Sequence, residues 1–182
     1  MALERLRLVA WFLVAIWGLA LLNLFTGYAF NRWFGLVPRS FGGLDGIFLM
    51  PFLHGSLAHA AANTLPVLVL GGLLVTTAEK VAATATLLIV ILGGMAVWLF
   101  GQTAIHVGAS GVIFGWFGFL VARGALEHSL VPVLVSAGVA LFYGTMIFGV
   151  LPFQPGVSWE SHLFGALAGV VAAFVLRTDR DP

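Results

Sequence analysis

The chain has 182 residues, of which 61% are hydrophobic and only 8% charged, where a soluble domain carries about 25% charged residues. With a mean hydropathy of +1.10, this apolar surface cannot be hidden in a soluble core, and the composition points to a single compact membrane bundle. The net charge of +1 says nothing about nucleic acid, but no basic cluster is present to bind a phosphate backbone, and the lack of cysteine excludes disulfides, thiolate catalysis and cysteine-based metal sites.

A membrane-spanning helix needs roughly 20 apolar residues. Stretches bounded by charges, glycine or proline predict six such helices, at 8–26, 57–77, 81–100, 110–126, 130–150 and 159–176, so that residues 1–182 form one all-α membrane domain. Arg5 and Arg7 precede the first stretch as they would in a signal peptide. Its apolar run is long and no clear small-residue cleavage site ends it, so it is expected to be retained. The 27–52 connection is the longest and mixes aromatics and glycines with few charges. That composition suits a segment lying in the outer interface. The second stretch begins with His59 and Asn63, and the fourth with Ser110 inside Gly108-Ala109-Ser110-Gly111. The 151–158 connection holds two prolines and a glycine and cannot continue a helix. The last stretch carries His162 near its start.

Six spans place both termini on one side. Arg5, Arg7, Lys80, Arg123, Arg177 and Arg180 then share that side, against Arg32 and Arg39 on the other. The positive-inside bias predicts a multi-pass cell-membrane protein with both termini cytoplasmic. At 1.5 Å per residue, Ser110 stands about 20 Å above Arg123, His162 about 22 Å above Arg177, and Asn63 about 25 Å above Lys80. Polar groups from three helices thus converge in the outer third of the membrane. Residues 101–109 must then dip into the bilayer, which irregular backbone does only inside protein or beside water. A wet pocket open to the outside is expected. Gly111, Gly115 and Gly118, with Gly165 and Gly169, let the helices bearing Ser110 and His162 pack backbone to backbone.

Polar side chains at this depth are expensive and usually functional. A serine hydroxyl becomes a nucleophile when a base takes its proton, and histidine is the usual base. His59 and Asn63, four apart on one helix face, are donors without negative charge, as an oxyanion site requires. The Ser110 N–H would add another donor. Each residue alone also has a structural reading: Ser110 as a helix cap, His162 as a buried hydrogen-bonded histidine, His59 and Asn63 as interhelical hydrogen-bonders, and His54 as a structural neighbour. No acidic residue is placed to orient His162, since Glu160 falls on another side of the helix. A Ser-His dyad therefore fits better than a triad, with Phe114 placed to pack on the imidazole. His106 and His128 lie in loops on opposite sides and there is no H-E-x-x-H sequence, so no metal site is expected.

In these residues the chain resembles the rhomboid intramembrane serine proteases in their basic six-helix bacterial form. The family's G-x-S-G is similar to Gly108-Ala109-Ser110-Gly111. Its histidine–asparagine helix is similar to the run from His54 through His59 to Asn63, and its last-helix pattern to His162, Gly165 and Gly169. The resemblance implies a rhomboid-like bundle in which Ser110 is the nucleophile, His162 the general base, and His59 and Asn63 the oxyanion-binding side chains, with Gly108 beside them. It implies cleavage of transmembrane protein substrates near their outer ends, reached past the fifth helix and its outer loop, within the lipid bilayer and without metal or organic cofactor. One departure stands in the first loop. Where the family often carries a Trp-Arg pair, this chain reads Leu44-Asp45-Gly46-Ile47, and its only comparable pairing is Arg32-Trp33. Two rival functions keep the same residues: a non-catalytic scaffold that binds membrane proteins, and a small transporter. The second requires polar residues through the full membrane depth, and the lower halves of the six stretches are nearly all apolar.

Overall fold

The computed structural model describes residues 2–153 and 156–177. Arg180, and Gln154-Pro155 of the 151–158 connection, lie outside the described residues. Among the described residues the regular structure is helical, apart from one isolated antiparallel bridge between Leu36 and His106. In chain order the α-helices are α1 (Ala2–Phe25), α2 (Ala29–Phe34), α3 (Gly46–Leu49), α4 (Leu57–Pro66), α5 (Gly72–Thr77), α6 (Glu79–Phe100), α7 (Ser110–Glu127), α8 (Leu130–Tyr143) and α9 (Trp159–Val175).

Four helical stretches are long and apolar enough to cross a membrane: Glu4–Phe25, Leu57–Thr77, Glu79–Phe100 and Leu130–Val150. Trp159–Val175 is apolar but shorter. Two of the stretches are not uniform α-helix. Pro66 has no N–H to donate and ends α4, and the chain passes through one π-helical turn, Val67–Gly71, before α5 resumes. The 130–150 stretch is α-helical only to Tyr143 and tightens into 3-10 turns over Gly144–Val150, where Gly144, Thr145 and Gly149 are poor α-helix formers.

Helix α7 is the buried axis of the bundle. Its Val112, Ile113, Trp116, Phe119 and Leu120 are all within the core. It meets α9 at the distance that glycine allows. A Cβ on Gly165 would collide with the Gly111 carbonyl, and one on Gly169 with the Gly115 carbonyl. The outside is the reverse of a soluble surface. Leu8, Trp11 and Val14 on α1, Leu134, Leu141 and Phe142 on α8, and Val171 and Phe174 on α9 are exposed, which hydrocarbon accommodates and water does not. Two indoles find partners inside the bundle: the half-buried Trp17 donates to Thr64 at 3.1 Å and the buried Trp116 to Thr86 at 3.0 Å.

The charged end and the polar end of the bundle are separate. Arg5 pairs with Glu79, while Arg123 pairs with Glu127 at 2.6 Å and donates to the Thr77 carbonyl at 2.6 Å. These groups lie at the end of α7 opposite Ser110. Around the Ser110 end, the first loop is a set of short helices with Trp33, Phe41 and Phe48 exposed, aromatics suited to the headgroup level.

Candidate active site

Ser110 is the first residue of α7. The cap position is Ala109, and no side-chain cap bond forms there, so the serine hydroxyl is not occupied as a helix cap. It lies 2.9 Å from His162 Nε2. The other ring nitrogen of His162, Nδ1, lies 2.8 Å from the Gly149 carbonyl oxygen. A carbonyl only accepts, so Nδ1 carries the proton and donates. In a neutral imidazole Nε2 is then the acceptor, and the Ser110 O–H donates to it. The ring is also fixed in its plane: Phe114, one turn after Ser110, stacks on it with centroids 4.1 Å apart and planes 6° from parallel.

The neighbouring loop brings the second helix to this pair. Gly108 has φ +123°, a backbone conformation that L side chains rarely adopt. A Cβ there would stand 2.7 Å from His59 Cε1 and 3.7 Å from Ser110 Oγ, so the glycine backbone fills the space between His59 and the serine. The Gly108 N–H is held by the Met50 carbonyl at 2.9 Å. His59 begins one turn inside α4, whose cap, Ser56, accepts from the His59 N–H at 3.0 Å.

Asn63 is buried, and its Nδ2 lies 2.9 Å from Nε2 of the fully buried His54. The Ala109 N–H points at the same Nε2 from 3.5 Å. Two donors on one nitrogen make Nε2 the acceptor and put the proton on Nδ1. That N–H faces the Phe52 carbonyl in a contact short of a full hydrogen bond. Burial, and secondarily the charge of His59, hold the His54 ring at about 4, below its ordinary 6.5. The ring thus stays neutral and able to accept. It packs edge-on to His59, with centroids 4.9 Å apart. Asn63 has a second amide hydrogen free of His54.

Glu160, expected on another side of its helix from the base, is buried and accepts from the Gln102 N–H at 3.1 Å. His106, a loop residue, is also buried. It lies 2.7 Å from Ser158 Oγ and 2.9 Å from the Gln102 carbonyl. Ser158 Oγ in turn lies 2.7 Å from Ser161 Oγ. These groups clamp the 101–109 segment to the start of α9, and with it Ser110 to His162.

A model of the Rhomboid domain matches residues 42–179, which includes every residue of this site. The chain belongs to the rhomboid family. Among its relatives, this rhomboid protein is 40% identical over 151 residues to an uncharacterised protein of Mycobacterium tuberculosis, an alignment covering 78% of this chain and 63% of the relative. A Mycobacterium bovis protein matches equally. One from Mycobacterium leprae is 39% identical over 142 residues, 73% of this chain and 56% of the relative. The chain thus spans less than two thirds of the length of these relatives. Several apolar helices together with the Rhomboid domain make it a multi-pass membrane protein. His54 and His106 have signals in the sequence, as polar residues beside apolar stretches, but nothing in their spacing names Asn63 or Ser158 as partners.

Proposed function

We propose that this rhomboid protein is an intramembrane serine endopeptidase that hydrolyses peptide bonds of transmembrane protein substrates. The observation that carries the reading is the 2.9 Å contact from Ser110 Oγ to His162 Nε2, with Nδ1 bound to the Gly149 carbonyl. That tautomer leaves a lone pair on the nitrogen that faces the nucleophile, which is the state a general base needs.

In the reaction Ser110 Oγ attacks the scissile carbonyl as its proton passes to His162 Nε2. The tetrahedral oxyanion accepts hydrogen bonds from Asn63, His59 and the backbone N–H of Ser110. His162 returns the proton to the leaving amine, the C–N bond breaks, and an acyl-enzyme remains. Water, deprotonated by the same nitrogen, then releases the second product and restores Ser110. No metal or organic cofactor takes part in these steps.

The substrate is expected to reach the site from the bilayer, past α8 and its 3-10 extension. The same reading sets six spans, with both termini in the cytoplasm. Its support is the placement of the cations Arg5 and Arg123 at the end of the bundle opposite the site.

The test is cleavage of a transmembrane test substrate by the purified protein in lipid, beside Ser110→Ala and His162→Ala. Cleavage by the wild type alone is expected. Cleavage that persists in a pure Ser110→Ala sample sinks the proposal. A wild type that neither cleaves nor takes up a serine-directed probe at Ser110 points to a binding scaffold instead.

A further inference from the structure

The end of α1 is wired to the site by side chains that the hydrolysis steps do not use. Asn23 stands in the last two turns of α1 and is fully buried. Its Nδ2 donates to Asn31 Oδ1 at 2.6 Å. Its own Oδ1 accepts from the Phe30 N–H at 3.1 Å and from Thr26 Oγ1 at 3.4 Å. Every polar atom of the Asn23 amide is thus engaged, and its orientation is fixed. Asn31, on α2, is fixed in turn: with Oδ1 occupied by Asn23, its Nδ2 faces the His54 carbonyl oxygen and donates to it at 3.1 Å. The His54 ring then accepts from Asn63 at 2.9 Å.

We propose that Asn31, locked by Asn23, is a positioning residue for the oxyanion donor Asn63 and acts through His54. The inference rests on the protease reading above. Both asparagines precede the matched stretch 42–179, so membership of the family assigns them nothing. An amide buried in the apolar end of a helix is expensive unless every polar atom is used, and here that requirement is met by hydrogen bonds that converge on His54, from Asn31 to its carbonyl and from Asn63 to its ring. Asn23 and Asn31 thus tie the end of α1 and the helix α2 to the His54 carbonyl. The consequence is geometric. An oxyanion donor contributes only when held where the charge develops. An Asn63 amide free to rotate presents its carbonyl oxygen to the oxyanion for part of the time.

The experiment is a double-mutant cycle on the full chain in lipid, measuring kcat and KM for a transmembrane test substrate with Asn31→Ala, Asn63→Ala and the double variant. Asn31→Ala is expected to lower kcat about 10-fold, a part of the roughly 100-fold loss on removing an oxyanion donor outright, with KM unchanged. The double variant is expected to be no slower than Asn63→Ala, because the relay has lost its target. Multiplicative losses, or a loss confined to KM, overturn the relay while leaving the protease reading intact. Should Asn31→Ala not fold, Asn31→Asp keeps the size and lacks the donor to His54. It is expected to give the same kcat loss and the same non-additivity, and an unchanged kcat overturns the proposal. A wild type that cleaves nothing overturns the protease reading and the relay together.

Discussion

Gly165 of α9 rests on the carbonyl of Gly111 in α7, immediately below the contact between His162 and Ser110. Ser110 and His162 are on different helices, and their 2.9 Å separation is set by how closely those helices approach. A methyl at Gly165 has to displace backbone rather than a flexible side chain tip. Gly165→Ala is therefore expected to destabilise the protein by at least about 1–3 kcal/mol, as overpacking does, and to abolish cleavage. Gly138→Ala, where a Cβ meets nothing within 4 Å, serves as the control and is expected to leave the thermal midpoint unchanged. Equal midpoints for the two variants in detergent would show that the close approach is not what holds α7 to α9.

Gly149 carries a different requirement. Its carbonyl accepts from His162 Nδ1, and a Cβ there would stand 2.7 Å from Phe114 and 3.2 Å from His162 Nδ1. Gly149→Ala is expected to push the stacked pair aside and lower kcat by about 10-fold or more, the scale at which misplacement of a catalytic group acts. Because Gly149 lies in the 3-10 turns rather than in the packed core, the thermal midpoint should move little. A fall in midpoint with an unchanged kcat would contradict the orienting role.

His54 gives a dependence of stability on pH whose sign is fixed. Its ring titrates at about 4 in the fold and at 6.5 when free. Between these values the unfolded chain takes up a proton that the folded chain refuses. The stability that goes with a neutral His54 is complete above about pH 6.5, is lost as the pH falls towards 4, and changes no further below that. The shift corresponds to about 3 kcal/mol at most. Protonation would also turn Nε2 from an acceptor into a donor, against the Asn63 and Ala109 N–H groups. Thermal midpoints in detergent should rise from pH 4 to 6.5 for the wild type and rise less steeply for His54→Gln. Parallel curves would exclude His54 as the source.

The all-helical class and the meeting of the helices that carry Ser110 and His162 were legible because they follow from residue type and spacing. A run of twenty apolar residues has few alternatives, and Gly-x-Ser-Gly followed by a histidine one turn before Gly165 names two helices that must touch. The tautomer of His162 was not legible, since it depends on a backbone carbonyl in the 151–158 connection's neighbourhood that no pattern marks. The π turn after Pro66 and the 3-10 end of α8 were hidden for the opposite reason: both preserve an unbroken apolar run. His106, Glu160 and Arg39 were visible as polar residues, but their contacts with Ser158, Gln102 and Thr103 span between 52 and 64 positions of the chain, and periodicity carries no information at that range. Asn23 was the exception. A lone asparagine within an apolar span is an expensive residue and could have been singled out on that ground alone.

Arg39, which the sequence pattern marks only as an outside charge, holds the end of α6. Its backbone N–H donates to the Trp98 carbonyl at 2.9 Å, at a left-handed φ of +59°. Its Nη1 donates to the carbonyls of Leu99 and Gly101 at 3.2 and 2.8 Å, and its Nη2 to Thr103 Oγ1 at 2.9 Å. The last carbonyls of a helix have no partners within it, and a cation there also meets the negative end of the helix dipole. The guanidinium thus caps α6 and pins the first residues of the segment that leads to Gly108 and Ser110. Because the contacts are partly exposed, Arg39→Ala is expected to cost only about 1 kcal/mol, yet to raise hydrogen exchange across 101–109 and to slow cleavage. Arg39→Lys should not restore either property, since one ammonium cannot span the carbonyls and the threonine as the planar fork does. Rescue by lysine would mean that charge alone, and not the forked geometry, is what α6 requires.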